Sequence, residues 1–259
     1  MKIKPLIEES EQDTRIYLAA LHRMIALHGW SELTANHVSA RTKENNEHFL
    51  LNPMGLLFEE VTASSLVKIN MAGERLDESD YTVNYAGYII HSTVLSARPE
   101  INCVIHTHSL NGKAVSVLKD PLMIEDQGSM LHYNRIGYHD YEGPERHKDA
   151  CASLKESLGE KNTCLILRNH GLLVTGRTIA EAFFNYFYLE SACAIHLKTA
   201  AVGAKIWPAK ESVKLKTQNT LDELMSGGLG AHDKSIGILD IQFAALLRKL
   251  DRMNSDYKS

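Results

Sequence analysis

Three histidines in this 259-residue chain have the residue type and the spacing of a metal site. His106 and His108 alternate after a short apolar run, so both side chains point to one face of a predicted strand. His170 follows a second apolar run, and Gly171 behind it permits a sharp turn or a close neighbour. If the two strands are adjacent, three neutral imidazoles converge around an open coordination position that suits zinc or a similar divalent ion. Each histidine taken singly is equally compatible with a hydrogen-bonded polar group at a strand end.

Alternating helix and strand patterns provide the framework for these histidines. Helices are predicted over residues 14–27, 86–97, 109–118, 148–158, 178–202, 211–225 and 239–253. Strands are predicted over 48–52, 66–70, 103–105, 164–167 and 172–175, with irregular structure and short strands over 127–143 and a glycine-rich break at 226–230. This order predicts an α/β fold with one main domain at residues 1–207. Residues 208–259 are predicted to form a helical extension that packs on this domain or on a neighbouring subunit.

Composition and charge limit the classes of function. Hydrophobic residues make up 44% and charged residues 23% of the chain, and the net charge is −4, as in an ordinary globular protein. No cluster of arginines or lysines suggests a nucleic-acid surface, and no apolar run approaches the roughly 20 residues of a membrane span. The four cysteines lack paired spacing and the N-terminus lacks a signal-peptide core. We therefore expect reduced thiols in a cytoplasmic protein.

Four segments carry a more specific pattern. They are Asn-His-Val-Ser-Ala-Arg at 36–41, Leu-Asn-Pro-Met-Gly-Leu-Leu-Phe-Glu-Glu-Val-Thr at 51–62, residues 91–108 with their alternating histidines, and Arg-Asn-His-Gly-Leu-Leu at 168–173. With these segments the chain resembles the class II aldolase/adducin family over residues 22–205. The resemblance implies a single three-layer α/β/α domain around a mostly antiparallel sheet, and a homotetramer with its active site at a subunit interface. It also implies a divalent metal on His106, His108 and His170, usually zinc, with manganese, cobalt or iron as the alternatives.

The sequence departs from the sugar-phosphate aldolases that it resembles at their acid–base and phosphate-binding positions. The resemblance places their catalytic glutamate at Gly87, four residues before His91, and their phosphate-binding serines at Tyr85 and Ala86. Without the short hydroxyls a phosphate loses hydrogen-bond donors, and without the glutamate the usual proton shuttle is missing. The chain therefore resembles the adducin-like branch of the family, and we expect a substrate without a phosphate group.

Other polar residues are candidates for binding the substrate and for replacing the lost proton shuttle. The resemblance places substrate-binding positions of the family at Asn36, His37, Gly55 and Gly87. The candidates for acid–base catalysis are His91, Gln127, Tyr138 and His139, with Glu125, Asp126 and His132 as further candidates. His91 lies in a predicted helix and is also compatible with packing, or with a hydrogen bond that supports the metal ligands.

These features predict a metal-dependent lyase-type enzyme that acts on a small hydroxy or keto compound. Aldol cleavage and decarboxylation both pass through a metal-stabilised enolate, for which the site needs a metal with an open coordination position. The alternative is a non-catalytic, adducin-like assembly scaffold that retains the metal site, since Gly87 removes the usual catalytic carboxylate. The expected partners are a small-molecule substrate and further copies of the chain, with no nucleic acid and no membrane.

Overall fold

The central feature of the fold is a mixed β-sheet. The computed structural model describes residues 10–143, 150–226 and 237–259, and within these residues seven strands form one sheet of order β3-β2-β1-β4-β7-β6-β5. The strands are β1 (His37–Arg41), β2 (His48–Leu51), β3 (Val67–Asn70), β4 (Cys103–Thr107), β5 (Ile136–His139), β6 (Cys164–Leu167) and β7 (Gly171–Gly176). Every neighbouring pair is antiparallel except β5 and β6, which run parallel. The prediction of an α/β fold with a mostly antiparallel sheet is confirmed.

Helices cover both faces of this sheet. In the described ranges the α-helices are α1 (Glu11–Leu27), α2 (Tyr85–Ala97), α3 (Leu110–Ser116), α4 (Ala150–Leu158), α5 (Ile179–Val202), α6 (Glu211–Ser226) and α7 (Ile238–Met253). Helix α1 begins at Glu11 rather than at residue 14, because Ser10 and Asp13 form a capping box. Each predicted helix is present, although residues 148–149 and 227–230 of the predicted segments lie outside the described residues.

Among the described residues, β1 is the strand that the sequence analysis did not predict. All five residues of β1 are buried, and they include the polar side chains Ser39 and Arg41, which interrupt the apolar pattern. Arg41 is tolerated there because its guanidinium donates to backbone carbonyls, including that of Ile101 over 2.9 Å. Strand β5 lies in the segment predicted to be irregular with short strands.

Side-chain alternation along β1 and β4 separates two hydrophobic cores. Val38 and Ile105 pack towards α1 and α5, whereas Val104 packs towards α2 and α4. The positions that alternate with Val38 and Ile105 therefore lie on the α2 face of the sheet. Among them are His37 and His106, which are paired residues of the two adjacent strands.

The described residues after 208 pack on α1, on α5 and on the turn at residues 129–132. Gln218 of α6 donates to the carbonyl of Leu131 over 3.3 Å, and Phe243 of α7 is buried in the core beside α1 and α5. Tyr257 is buried, and its carbonyl accepts the N–H of Ala63 over 2.9 Å. The predicted domain boundary between 207 and 208 stays a prediction. None of the helices in the described ranges combines the length and the hydropathy needed to cross a membrane.

Candidate metal centre

Strands β4 and β7 bring three histidine nitrogens to one point. The strands pair with His106 opposite Leu173, so the end of β4 lies beside the start of β7. The Nε2 atoms of His106 and His108 are 3.0 Å apart, and those of His108 and His170 are 2.9 Å apart. A tetrahedral zinc ion with bonds of about 2.0–2.1 Å would hold its nitrogen ligands about 3.3 Å apart. The arrangement therefore fits a divalent ion, and that these residues hold one stays a prediction.

A tight turn sets the position of His170. Asn169 has a φ of +57°, in the left-handed region, and the N–H of His170 donates to the carbonyl of Leu167 over 3.1 Å. A Cβ atom at Gly171 would overlap the carbonyl oxygen of Thr107 in β4. Only glycine at this position lets the first residue of β7 lie so close to β4. Because the two strands are this close, His170 lies beside the end of β4.

Hydrogen bonds at Nδ1 orient two of the imidazoles. The Nδ1 of His106 donates to the carbonyl of Leu172 over 2.9 Å, and the Nδ1 of His108 donates to the Glu32 carboxylate over 2.8 Å. Because these oxygens only accept, each ring carries its proton on Nδ1 and keeps the Nε2 lone pair for a metal. The sequence analysis missed Glu32, which lies in a loop far along the chain from His108. Its place just before the segment 36–41 was the available signal.

Burial keeps the three imidazoles neutral. It lowers the pKa of His106 well below the ordinary value and that of His170 to about 4. Burial also lowers the pKa of His108, although the hydrogen bond to Glu32 acts in the opposite direction. The hydrogen bond from Lys113 lowers the pKa of Glu32, so this carboxylate stays charged. At neutral pH the nitrogen lone pairs are consequently available to a metal ion.

A second pair of histidines lies against the first group. The ring centroids of His37 and His106 are 4.7 Å apart. The Nδ1 of His37 is 2.7 Å from the Nε2 of His91 in α2, and the Nδ1 of His91 contacts the hydroxyl of Ser39. Burial lowers the pKa of both His37 and His91 well below the usual range, so both rings are neutral. This hydrogen-bonded chain can move a proton through the two neutral imidazoles by exchanging their tautomers.

Gly87 makes room for His37. A Cβ atom at Gly87 would lie 3.0–3.3 Å from the Cγ, Cβ and Cδ2 atoms of His37. The N–H of Gly87 donates to the side chain of Asn84, which caps α2, over 3.1 Å. The space that a longer side chain at residue 87 would need is therefore filled by the His37 ring. Residues 37 and 87, where the resemblance predicted departures from the aldolase pattern, therefore pack against each other as one structural unit.

Two aromatic residues at the end of β5 lie close to His170. His139 is buried, with its Nδ1 3.1 Å from the hydroxyl of Ser157. Burial and then the neighbouring His108 lower the pKa of His170 most, and His139 adds a smaller effect in the same direction. Tyr141 packs edge-on against His170 with ring centroids 5.7 Å apart. The sequence analysis did not include Tyr141 among the candidates. The density of aromatic and titratable residues at 138–141 was the signal that could have found it.

Several candidates from the segment 125–138 have partners away from the three histidines. The hydroxyl of Tyr138 accepts a backbone N–H over 2.8 Å, and Glu125 forms an ion pair with Lys214 over 2.6 Å. His132 is buried, and Gln127 is exposed in a turn. Within the described residues none of the four forms a hydrogen bond, an ion pair or a ring contact with the ligand histidines, so their catalytic roles stay predictions.

The two remaining substrate-binding candidates shape the backbone near the site. Asn36 is buried, and its side-chain oxygen accepts the N–H of Glu32 over 2.5 Å, so it supports the loop that carries this carboxylate. Gly55 has a φ of +94°, a conformation that favours glycine, in the turn after β2. Their contacts with a substrate stay predictions.

Comparison with known proteins places the chain in the class II aldolase and adducin family, whose N-terminal domain matches residues 17–197. The chain is 38% identical over 256 residues to a Pseudomonas aeruginosa protein whose name assigns it to the class 2 aldolases. The match covers 99% of this chain and 96% of that protein. It is 37% identical over 255 residues to alpha-adducin of Rattus norvegicus, covering 95% of this chain and 34% of alpha-adducin. The structure of an L-fuculose 1-phosphate aldolase from Glaciozyma antarctica matches with a TM-score of 0.80 and 28% identity, covering 99% and 98% of the two chains. The predicted family membership is confirmed.

Proposed function

We propose that this protein is a divalent-metal-dependent lyase-type enzyme for a small hydroxy or keto compound without a phosphate group. The reaction is aldol cleavage or decarboxylation. The observation that carries the proposal is the convergence of three neutral Nε2 atoms beside the pair formed by His37 and Gly87. When bound, a divalent metal, with zinc preferred, supplies a Lewis acid that polarises a carbonyl or carboxylate oxygen.

The residues around the ligands have distinct roles in this proposal. His106, His108 and His170 hold the ion through Nε2. His37 binds a substrate oxygen and exchanges a proton with it, since its Nδ1 is engaged by His91 while its Nε2 has no hydrogen-bond partner in the described residues. His91 holds His37 in place and relays the tautomer change. This pair replaces the proton shuttle that is absent at residue 87.

The charges near the site support a substrate without phosphate. Tyr85 and Ala86, at the start of α2, are exposed and offer no pair of short hydroxyls to a phosphate. Lys113, which lies beside the site, has its ammonium already paired with Glu32. A phosphate dianion would therefore find few free donors here, whereas a neutral or singly charged substrate needs fewer.

Metal analysis followed by a substrate screen tests the proposal. The purified wild-type protein should bind one divalent ion per chain, and His106→Ala and His170→Ala should abolish binding. A panel of hydroxy-acids, keto-acids and unphosphorylated sugars should include a compound that is cleaved only by the metal-loaded protein. L-Fuculose 1-phosphate serves as the phosphorylated comparison. Absence of stoichiometric metal after reconstitution, or faster cleavage of the phosphorylated sugar than of every unphosphorylated compound, would contradict the proposal.

The similarity to alpha-adducin supports a second candidate function, a non-catalytic assembly scaffold that keeps the metal site. In that case the histidines stabilise the fold or the assembly and turn over no substrate. Removing the metal with a chelator should then lower the thermal stability or dissociate the assembly, while the whole substrate panel stays unreacted. Metal-dependent turnover of any panel compound eliminates this candidate.

We further propose that copies of the chain assemble, as a tetramer, with the metal centre at a subunit interface. Large apolar side chains around the centre are exposed, including Leu33 at 77%, Leu110 at 78% and Tyr141 at 49%. A covering subunit would remove this apolar surface from water. Sedimentation velocity should show a tetramer that Leu110→Glu dissociates and Leu76→Glu, in the loop after β3, leaves intact. A wild-type monomer at micromolar concentration would contradict this assembly.

A cytoplasmic location is part of the same proposal. All four cysteines are free thiols. Free thiols are typical of a reducing compartment. Fractionation of cells that produce the protein tests the location, and recovery outside the cytoplasm would contradict it.

A further inference from the structure

The loop between α1 and β1 contributes a carboxylate to the surroundings of the metal centre. Glu32 accepts a hydrogen bond from the Nδ1 of His108 over 2.8 Å and forms an ion pair with the ammonium of Lys113. Both of its carboxylate oxygens are thus engaged, one by each partner. Glu32 is 39% exposed, so burial alone does not explain its position. Its position depends on these two contacts and on the fold of the loop.

The loop itself is held at three points. The ring of His28 stacks on Trp30 with centroids 4.4 Å apart, and Trp30 packs edge-on against the buried Tyr186 of α5 with centroids 5.2 Å apart. The N–H of Glu32 donates to the side chain of Asn36 over 2.5 Å. These contacts restrict the backbone on both sides of Glu32 and direct its carboxylate to His108.

We propose that Glu32 is a positioning residue that orients His108 for metal binding and makes the loop 28–36 part of the metal centre. This inference rests on the proposed metal site. A carboxylate that accepts from Nδ1 fixes the tautomer and the ring orientation and makes Nε2 a stronger donor to the ion. His106 receives a weaker version of this support from the neutral carbonyl of Leu172. Because His108 and the loop share one hydrogen bond, metal binding and loop order are linked, and each stabilises the other.

Metal affinity measured by competition with a chromophoric chelator tests the positioning role. Glu32→Ala should weaken zinc binding about 10- to 100-fold, the usual effect of removing such an outer partner. Glu32→Gln keeps an acceptor oxygen and should lie between the wild type and Glu32→Ala. Glu11→Ala is the matched control, since Glu11 also pairs with a lysine, Lys68, but at the far end of α1. It should bind zinc as the wild type does.

Two further measurements separate positioning from a general structural effect. The visible absorption of bound cobalt should change in Glu32→Ala, because the ring orientation of His108 alters the coordination geometry. Hydrogen exchange followed by mass spectrometry should show that zinc slows exchange in residues 28–36 of the wild type and of Lys113→Met. The same protection should be absent in Glu32→Ala. Exchange in residues 42–47 should not respond to zinc.

The possible results distinguish this inference from the proposed function. If the wild type binds zinc and Glu32→Ala binds it equally well, the positioning role is refuted and the metal site stands. If Glu32→Ala loses zinc more than about 1,000-fold, well beyond an outer-partner effect, Glu32 is itself a ligand and the positioning role is again refuted. If the wild type binds no zinc, both proposals fail.

Discussion

The contact between Gly87 and His37 predicts that substitutions at these two positions are coupled. Gly87→Ala adds a Cβ atom that would lie 3.0–3.3 Å from three atoms of the His37 side chain, closer than carbon atoms normally approach. The ring cannot retreat freely, because it is buried and hydrogen-bonded to His91. In the wild-type background the added methyl should therefore strain the site. In a His37→Ala background the same methyl should fit.

The size of this coupling follows from two opposing effects. Overpacking in a buried site costs about 1–3 kcal/mol, whereas replacing glycine by alanine in a helix gains about 1 kcal/mol. Gly87→Ala should therefore lower the free energy of unfolding by up to about 2 kcal/mol when the His37 ring is present. The same substitution should raise the free energy of unfolding by about 0.5–1 kcal/mol when the His37 ring is absent. The expected coupling free energy is about 1–3 kcal/mol.

A double-mutant cycle measured by urea denaturation tests this prediction. The four proteins are the wild type, Gly87→Ala, His37→Ala and the double variant, all in chelator so that metal binding does not contribute. His37→Ala leaves the Nε2 of His91 without its partner in two of the four proteins, so this cost cancels in the cycle. His48→Ala, on the separate strand β2, replaces His37→Ala in a control cycle that should be additive. A coupling below about 0.5 kcal/mol at His37 would refute the argument that the two residues form one unit.

Three other features give predictions for the free energy of unfolding, each measured by urea denaturation. Gly171→Ala should cost about 3 kcal/mol and also weaken zinc binding, because its Cβ would overlap the carbonyl oxygen of Thr107. In the comparison variant Gly29→Ala the new Cβ meets no atom within 4 Å, so only the strain of its φ of +70°, about 1 kcal/mol, should appear, and zinc binding should not change. Burial lowers the pKa of His132 from 6.5 to about 4. Between pH 4 and pH 6.5 this histidine is therefore protonated in the unfolded chain and neutral in the folded protein. The free energy of unfolding therefore carries no penalty from His132 above pH 6.5 and falls as the pH drops from 6.5 towards 4. His132→Leu should make this fall smaller by about 3 kcal/mol. A variant whose free energy of unfolding depends on pH as the wild type's does would contradict this prediction. Tyr186→Phe should cost about 1 kcal/mol by removing the hydrogen bond to the Thr107 hydroxyl, and no loss would show that this bond is dispensable.

Local patterns made much of the fold predictable. Helix α5 was predicted to within one residue, because Thr178 is a typical cap for its first turn. In the structure Gly203, with a φ of +65°, ends it. Strand β1 could not be predicted in the same way. Its Arg41 is buried only because carbonyls from distant residues accept its N–H groups, and no local pattern contains that information.

The same distinction applies to the candidate metal centre. His106, His108 and His170 stand at the ends of apolar strands, so their type and spacing, together with the family resemblance, predicted a metal site. Glu32 and Ser39 were missed because their roles depend on contacts across the sheet with residues far away in the sequence. The contact of His37 with Gly87 could not be predicted either, because it depends on how α2 packs against β1.

The packing of Gly87 against His37 also limits which single substitutions evolution can accept at these two positions. A single substitution that introduces a carboxylate at residue 87 would place its side chain against the His37 ring, and a single loss of the ring would leave His91 without its partner. Either substitution by itself is expected to lower stability or activity. A change from one form of the site to the other therefore requires both substitutions together. A lineage that has taken the glycine–histidine form would therefore tend to keep it, and its chemistry would diverge from that of the glutamate form.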